Sequence, residues 1–281
     1  MQDAFAYCAE LVRAADRDRF LSSLFAPAEH RAALHALYAF NVEVARVREV
    51  AREPLPGEIR LQWWSEVLRG ERAEEASANP VASALLTVIE RHRLVVPALT
   101  ALLDARCFDL YDDPMARLAD LEAYGQKTSS TLLALAAQIL AGGEGEVTEP
   151  VANPAGMAYA IAGLIRAFPL HAARRQLYVP RELLERHGVE PQDIFAGKSS
   201  KNLCAVFAEL QDIARRHLLA AHQHIATLPD AALPAFLPVA LVRPALDRLA
   251  RRDPFGPVEL SPWRRQWLIW RAARNPARIA G

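Results

Sequence analysis

Cysteine is nearly absent and badly placed for chemistry. Cys8, Cys107 and Cys204 stand far apart, are odd in number and form no Cys-x-x-Cys pair. A disulfide framework and a thiolate metal site are therefore disfavoured. Net charge is missing too: Lys+Arg and Asp+Glu number 33 each, so no field directs the chain to nucleic acid or to a strongly acidic partner. No apolar run reaches the ~18 uninterrupted residues that a spanning helix needs. The longest mostly apolar stretch, Thr131 to Ala141, is broken by Gln138. The opening Met1-Gln2-Asp3-Ala4-Phe5 lacks the basic-then-apolar pattern of a secretory signal. A reducing, cytoplasmic compartment is the expectation. Alternating strand patterns and glycine-rich strand-turn-helix phosphate loops are absent as well, and glycine totals only 12 residues.

What the sequence does have is helical periodicity. Hydrophobic residues make up 52% of the chain, many of them Ala and Leu, the strongest helix formers. Leu34, Leu37, Tyr38, Val44 and Val47 recur at helical spacing, which predicts a helix from Pro27 to Arg52, ended by Pro54 and Pro56. A second helix carries Leu61, Trp64, Val67 and Leu68 up to Gly70, Pro80 opens another, and Leu94 to Phe108 forms the next. Leu118 to Leu140 reads as one long helix closed by Gly142-Gly143. Val151 to about Phe168 is nearly all apolar, as a helix at the centre of a domain would be. Leu203, Val206, Phe207, Leu210 and Ile213 mark one face of a helix from Lys201 to Leu228, and further segments start near Leu233 and Trp263. With no internal repeat, the expectation is an all-α bundle, a single domain over residues 1–281 with a Trp/Arg-rich segment at 261–281.

Several segments carry a resemblance. Tyr38-Ala39-Phe40-Asn41-Val42-Glu43 followed by Gln62-Trp63-Trp64, then Leu121 to Tyr124 with Thr128-Ser129-Ser130, then Arg166 through Tyr178-Val179-Pro180, occur in the order and spacing of the squalene/phytoene synthase family. The resemblance covers roughly residues 16 to 225. It implies an isoprenoid-synthase-like helical bundle around a central cavity, in which two helices each present aspartates to a cluster of Mg²⁺ ions. Those ions neutralise the diphosphate that leaves during head-to-head condensation. Aspartates at i and i+4 put two carboxylates on one helix face. Here the first motif falls on Ala45 and Glu49, with Arg46 between them, and the second on Ala167 and His171. Family Gln and Asn positions fall on Ala160 and Gly163. One carboxylate cannot organise a multi-metal clamp, and Pro169 is expected to kink or end the second helix. No metal and no cofactor are expected; Mg²⁺ enters only if a degenerate synthase still operates.

A narrower likeness runs through Phe40 to Glu43, Gln62 to Trp64, Leu121 to Leu133, Phe168 to Arg175 and His187-Gly188-Val189. These segments resemble the aspartate-poor branch of the family, which includes a mitochondrial assembly factor of respiratory complex I. That implies a non-catalytic protein with a complex I subunit as partner. Two rivals stay open: an isoprenoid diphosphate synthase with degenerate metal motifs, and a protein that holds an isoprenoid or phospholipid without reacting.

Each candidate residue has a bland counterpart. Arg46, Arg48, Arg166, Arg174 and Arg175, with Tyr178, are candidates to line one end of the cavity and hold a phosphate bidentately. Alternatively Arg174 and Arg175 sit on a solvated helix end, and Arg46 pairs with Glu43 or Glu49. His171 occupies a metal-motif position, though a lone histidine is more often hydrogen-bonded than a ligand. His217, His222 and His224 lack zinc spacing. Asp109, Asp112 and Asp113 read as a solvated turn beside Pro114, and Cys107 as a small core residue. Trp263, Trp267 and Trp270 recur on one helix face among Arg264, Arg265, Arg271 and Arg274. They are candidates for a membrane interface or a partner surface, but a Trp stripe more often buries than anchors, which favours core.

Overall fold

The computed structural model describes residues 2–51, 53–142, 148–256 and 260–281, so Arg52 and Gly143 lie outside the described residues. Every regular element among them is helical. The α-helices are α1 (Gln2–Ala15), α2 (Arg17–Ser23), α3 (Ala28–Ala45), α4 (Val47–Val50), α5 (Pro54–Leu68), α6 (Ala73–Ala78), α7 (Pro80–His92), α8 (Val96–Arg106) and α9 (Leu118–Gly125). They continue with α10 (Thr131–Leu140), α11 (Glu149–Ala173), α12 (Arg181–Arg186), α13 (Pro191–Phe195), α14 (Lys201–His224), α15 (Leu233–Phe236), α16 (Val242–Leu249) and α17 (Pro262–Arg274).

Local chemistry sets many of the boundaries. The Asn79 side chain accepts from the amides of Val81 and Ala82, capping α7 where Pro80 opens it. Ser200 caps α14 through the Leu203 amide, and Asp16 caps α2 through that of Arg19. Gly142, at φ +71, closes α10 in the left-handed conformation that glycine adopts without penalty.

α11 lies at the centre. It packs along its length on α14, with Phe168 edge-on to Phe207 at 4.6 Å, while α1, α3 and α7 form a second packed group. Trp64 is fully buried against Phe40, their ring centres 5.0 Å apart. The buried apolar residues form one contiguous cluster that reaches from Cys8 to Ala280.

Three sequence expectations change. The helix expected from Pro27 to Arg52 stops at Ala45: Arg46 leaves helical geometry (φ −101, ψ 9), α4 follows as a separate short turn, and Pro54 opens α5 rather than ending its predecessor. The helix expected from Leu118 to Leu140 is interrupted by a π-helical turn at Gln126–Ser130. There Thr131 Oγ1 bonds back to the Gln126 carbonyl, and Ser130 Oγ reaches the Asn153 carbonyl on α11 at 2.8 Å. Gly156 makes that approach possible, since a Cβ there would lie 2.3 Å from Ser130 Cα. Pro169 does not end α11, which runs on to Ala173. Phe168 and Ala172 are buried on either side of the proline, and their packing holds the helix across the lost backbone bond.

Candidate functional site

Between α11, α3 and the α1–α2 junction opens a cleft of about 470 Å³. Asp16 to Arg19 enter from the junction, Asn41, Ala45 and Arg46 from α3 and its end, and Arg106 from α8. Tyr124, Thr128 and Ser129 contribute from α9 and the π turn; Tyr159, Ala160, Gly163, Arg166, Ala167 and His171 from α11; and Arg265 from α17.

The two motif helices therefore do face one another across the cleft, but with methyl groups where a metal clamp needs oxygen. Ala45, Ala160, Gly163, Ala167 and His171 all line it. Glu49 does not. The break at Arg46 takes it off the α3 face, and its carboxylate is held by Arg46 Nε at 2.9 Å and by Arg174 Nη1 at 3.2 Å. The Arg46 hydrogen bond, with Arg174 behind it, keeps its carboxyl below the usual range. The other cleft carboxylates are also engaged: Asp16 takes Arg19 at 2.5 Å and Asp18 takes Arg265 at 2.8 Å. Hard divalent cations need several free oxygens in one place. This donor set does not fit a Mg²⁺ cluster, and among the described residues no group of three or more His, Cys, Asp and Glu is arranged to hold an ion.

The walls are arginine-rich. Arg19 is buried, stacked between Tyr38 and Tyr159 at 5.7 and 5.0 Å. Burial pushes the Tyr159 phenol up to about 12, with Arg19 pulling the other way, so it stays a neutral donor. Burial also raises the Asp18 carboxyl, and Arg265 opposes the rise. The Nε atoms of Arg19 and Arg106 are buried and find no acceptor among the described residues. Arg166 is exposed at the cleft wall.

Of the arginines expected at the cavity, Arg46 and Arg166 line the cleft and the others are turned elsewhere. Arg48 binds the Leu110 carbonyl and Asp112, at 2.7 Å from the latter. Arg174 is exposed and paired with Glu49. Arg175 takes a left-handed backbone (φ 58) and lays its guanidinium over Phe195 at 4.7 Å. The solvated, paired reading holds for Arg46 and Arg174.

Tyr178 belongs to a neighbouring cluster whose centre, Asp109, is a correction. Far from a solvated turn, Asp109 is buried and accepts from Tyr124 Oη at 2.9 Å, Tyr178 Oη at 2.7 Å and Arg106 Nη1 at 3.1 Å. Its backbone carbonyl accepts from Gln176 at 2.8 Å. Asp112 and Asp113 are exposed as expected. His171 packs on Tyr178 with ring centres 4.6 Å apart, and burial pulls it down to about 4 despite Asp109, with Arg174 adding to the fall. It is a neutral ring between the cluster and the cleft. Sequence reasoning missed Arg19, Arg106, Arg265 and Asp109. The alternating Asp16-Arg17-Asp18-Arg19 run is a signal that could have found the first, and nothing local points to the rest.

The tryptophan stripe is not core. Trp263, Trp267 and Trp270 are 82%, 50% and 46% exposed, while Leu268, Ile269 and Ala272 take the inward side of α17. His217 lies 3.6 Å from Glu122. Cys107 is part-buried, and its burial raises the thiol pKa.

The family model for squalene/phytoene synthase matches residues 12–271. Complex I assembly factor 6 of Homo sapiens is 33% identical over 247 residues, spanning 88% of this chain and 74% of that protein. Phytoene synthase of Thermus thermophilus is 28% identical over 283 residues, spanning 96% and 94%. Among solved structures, a dehydrosqualene synthase in complex with ligand superposes with a TM-score of 0.83 at 16% identity, covering 97% and 96% of the two chains. The squalene synthase HpnC of Alicyclobacillus acidocaldarius gives 0.76 at 22%, covering 91% and 95%. At such identities the structural likeness speaks for the fold alone. Among the described residues no helix is long and apolar enough to cross a membrane.

Proposed function

The chain belongs to the squalene/phytoene synthase family, and from that premise we propose that it has abandoned condensation and serves as an assembly factor of respiratory complex I. One observation carries the reading. The two helices that present carboxylates to Mg²⁺ in an active synthase meet across this cleft through Ala45 and Ala167. Metal and oxyanion contacts each supply about 3 kcal/mol or more of transition-state stabilisation, so losing the set removes the reaction rather than slowing it. No cofactor is needed for the role that remains. What remains is a helical surface large enough for a standard interface of about 800 Å² per partner, on a chain that a relative named for complex I assembly matches over 88% of its length. A complex I subunit is the partner, and the reducing, cytoplasmic side is the location that free Cys8, Cys107 and Cys204 suit.

The purified protein should form no squalene, phytoene or cyclopropyl intermediate from farnesyl or geranylgeranyl diphosphate with Mg²⁺. Deleting its gene should lower assembled complex I and NADH-linked respiration while the isoprenoid profile stays constant. Intact complex I beside altered carotenoids or hopanoids would sink the reading and favour a synthase.

A second reading rests on the unpaired Nε atoms of Arg19 and Arg106 and on exposed Arg166. The cleft then holds a phospholipid or isoprenoid phosphate without metal and without reaction. Mass spectrometry of extracts from the purified protein would find such a lipid at near-stoichiometric amount; lipid-free protein rules it out.

A further inference from the structure

We propose that the outer face of α17 docks on an anionic lipid surface. The helix has two faces. On the inner one, Leu268, Ile269 and Ala272 are buried, and Arg265 reaches Asp18 at 2.8 Å, so α17 is fixed to the body of the protein by both apolar contact and an ion pair. The opposite face carries Trp263, Trp267 and Trp270, the first of them 82% exposed. Among the described residues, arginines of the same helix lie over two of these rings. Arg271 lies over Trp267 at 4.5 Å and Arg274 over Trp270 at 5.1 Å. A strip of indoles, each amphipathic and two of them capped by guanidinium, matches the depth profile of a membrane interface. Rings settle at head-group level and cations meet the phosphates.

Charge identifies the occupant. α17 has no carboxylate. From Arg243 to the end of the sequence nine arginines stand against Asp247, Asp253 and Glu259, in a chain that holds 33 residues of each sign. The final stretch thus carries an excess of six positive charges, and everything before it carries the opposite excess. Segregation on that scale points to an extended anionic surface rather than to one acidic pocket. The strip is also the convex outer side of a helix, a shape that a fluid head-group layer accommodates without a complementary groove. This inference does not rest on the assembly role: a deletion strain with normal complex I would leave it standing, and failure to bind lipid would leave the assembly role standing.

The test is co-sedimentation of the full chain with vesicles of phosphatidylcholine containing about 30 mol% phosphatidylglycerol, against phosphatidylcholine alone. Binding should be at least roughly tenfold stronger to the anionic vesicles and should weaken steeply with salt. Brominated lipid should quench the tryptophan emission, because the exposed rings insert while Trp64 stays in the core. The triple variant Trp263→Ser, Trp267→Ser, Trp270→Ser should lose at least roughly tenfold in vesicle binding with an unchanged circular dichroism spectrum. The double variant Arg264→Glu, Arg271→Glu should lose the anionic preference. Absence of quenching in the native protein overturns the proposal, as does equal binding by the native and triple-variant proteins. A triple variant that keeps vesicle binding but changes oligomeric state or complex I association would also overturn it, assigning the face to a second copy or a protein partner.

Discussion

Asp109 and Asp18 are both buried aspartates, 4% and 6% exposed, and each meets an arginine. Their surroundings differ. Asp109 is closed in by Tyr124, Tyr178 and Arg106, and its own backbone carbonyl is taken by Gln176. The cluster ties the end of α8 to α9 and to the chain leaving α11. The Asp18 carboxylate meets Arg265, on a helix that lies 247 residues away in sequence, while its carbonyl accepts from Ser22 Oγ within its own helix, and Asp18 and Arg265 both line an open cleft. The first arrangement spends its hydrogen-bonding capacity on the fold. The second stands at the cleft wall, beside Arg19 and exposed Arg166. The cleft is thus polar on one wall and structural on the other.

The largest effect should come from the closed cluster. Asp109→Ala leaves the Tyr178 hydroxyl without its acceptor and the Arg106 guanidinium without its counter-charge, with only Tyr124 Oη left to it at 2.6 Å, so unfolding free energy should fall by about 3–5 kcal/mol in urea titration. A loss below about 1 kcal/mol would mean that the cluster is hydrated and the contrast with Asp18 is lost.

His171 stands between the two regions and gives the next largest effect. Its folded pKa of about 4 lies below the ordinary 6.5, from burial against Tyr178 and from Arg174, with Asp109 opposing. Between those values the unfolded chain binds a proton that the folded chain refuses. The stability this ring provides is complete above about pH 6.5 and drains away as pH falls towards about 4, a change of no more than about 3 kcal/mol. His35, His92 and His217 are also lowered. The measurement is therefore a difference: His171→Gln should flatten part of the slope of stability against pH in that window. An unaltered slope would remove His171 from the structural wall.

Arg265→Ala comes third. The carboxyl of Asp18 is already raised by burial and can take up a proton or meet cleft water, so the cost should be only about 1–2 kcal/mol. The variant should also loosen α17, measurable as faster amide exchange over 262–274. If instead it costs as much as Asp109→Ala, the cleft wall is as closed as the tyrosine cluster.

The parts of the fold that local chemistry decides were legible. Pro80 opens α7, Gly142 closes α10, and α11 is central because it is nearly all apolar from Val151 to Phe168. The site was half legible. Ala45 and Ala167 could be assigned to the cleft because each sits at a fixed step from a recognisable segment. What stayed hidden depends on residues distant in sequence. Asp109 beside Pro114 has the composition of a turn, and Tyr124 and Tyr178, 15 and 69 residues on, make it a core group. The tryptophans look like core by residue type, yet Leu268 and Ile269 on the same helix take that place. The π turn depends on Gly156 of α11 meeting Ser130, a contact between helices that periodicity within one helix does not contain.

The smallest effect tests the surviving carboxylate. In a working synthase a carboxylate at the position of Glu49 would face the cavity, and its removal would end metal binding. Here the backbone turns out of α3 at Arg46, and the two oxygens of Glu49 go to Arg46 and Arg174, both well exposed. Ion pairs in such surroundings contribute about 0.5 kcal/mol each, screened further by salt. Glu49→Ala should therefore shift the melting midpoint by less than about 2 °C at neutral pH. The little it does cost should vanish below the carboxylate range, because a group whose folded pKa is depressed loses its contribution as it is protonated. Mg²⁺ titration, followed by calorimetry or by the melting midpoint, should give the same null response for the native chain and the variant. A Mg²⁺-dependent stabilisation of the native protein that Glu49→Ala abolishes would mean that the carboxylate rotates back into the cleft, and with it would return the case for residual synthase chemistry.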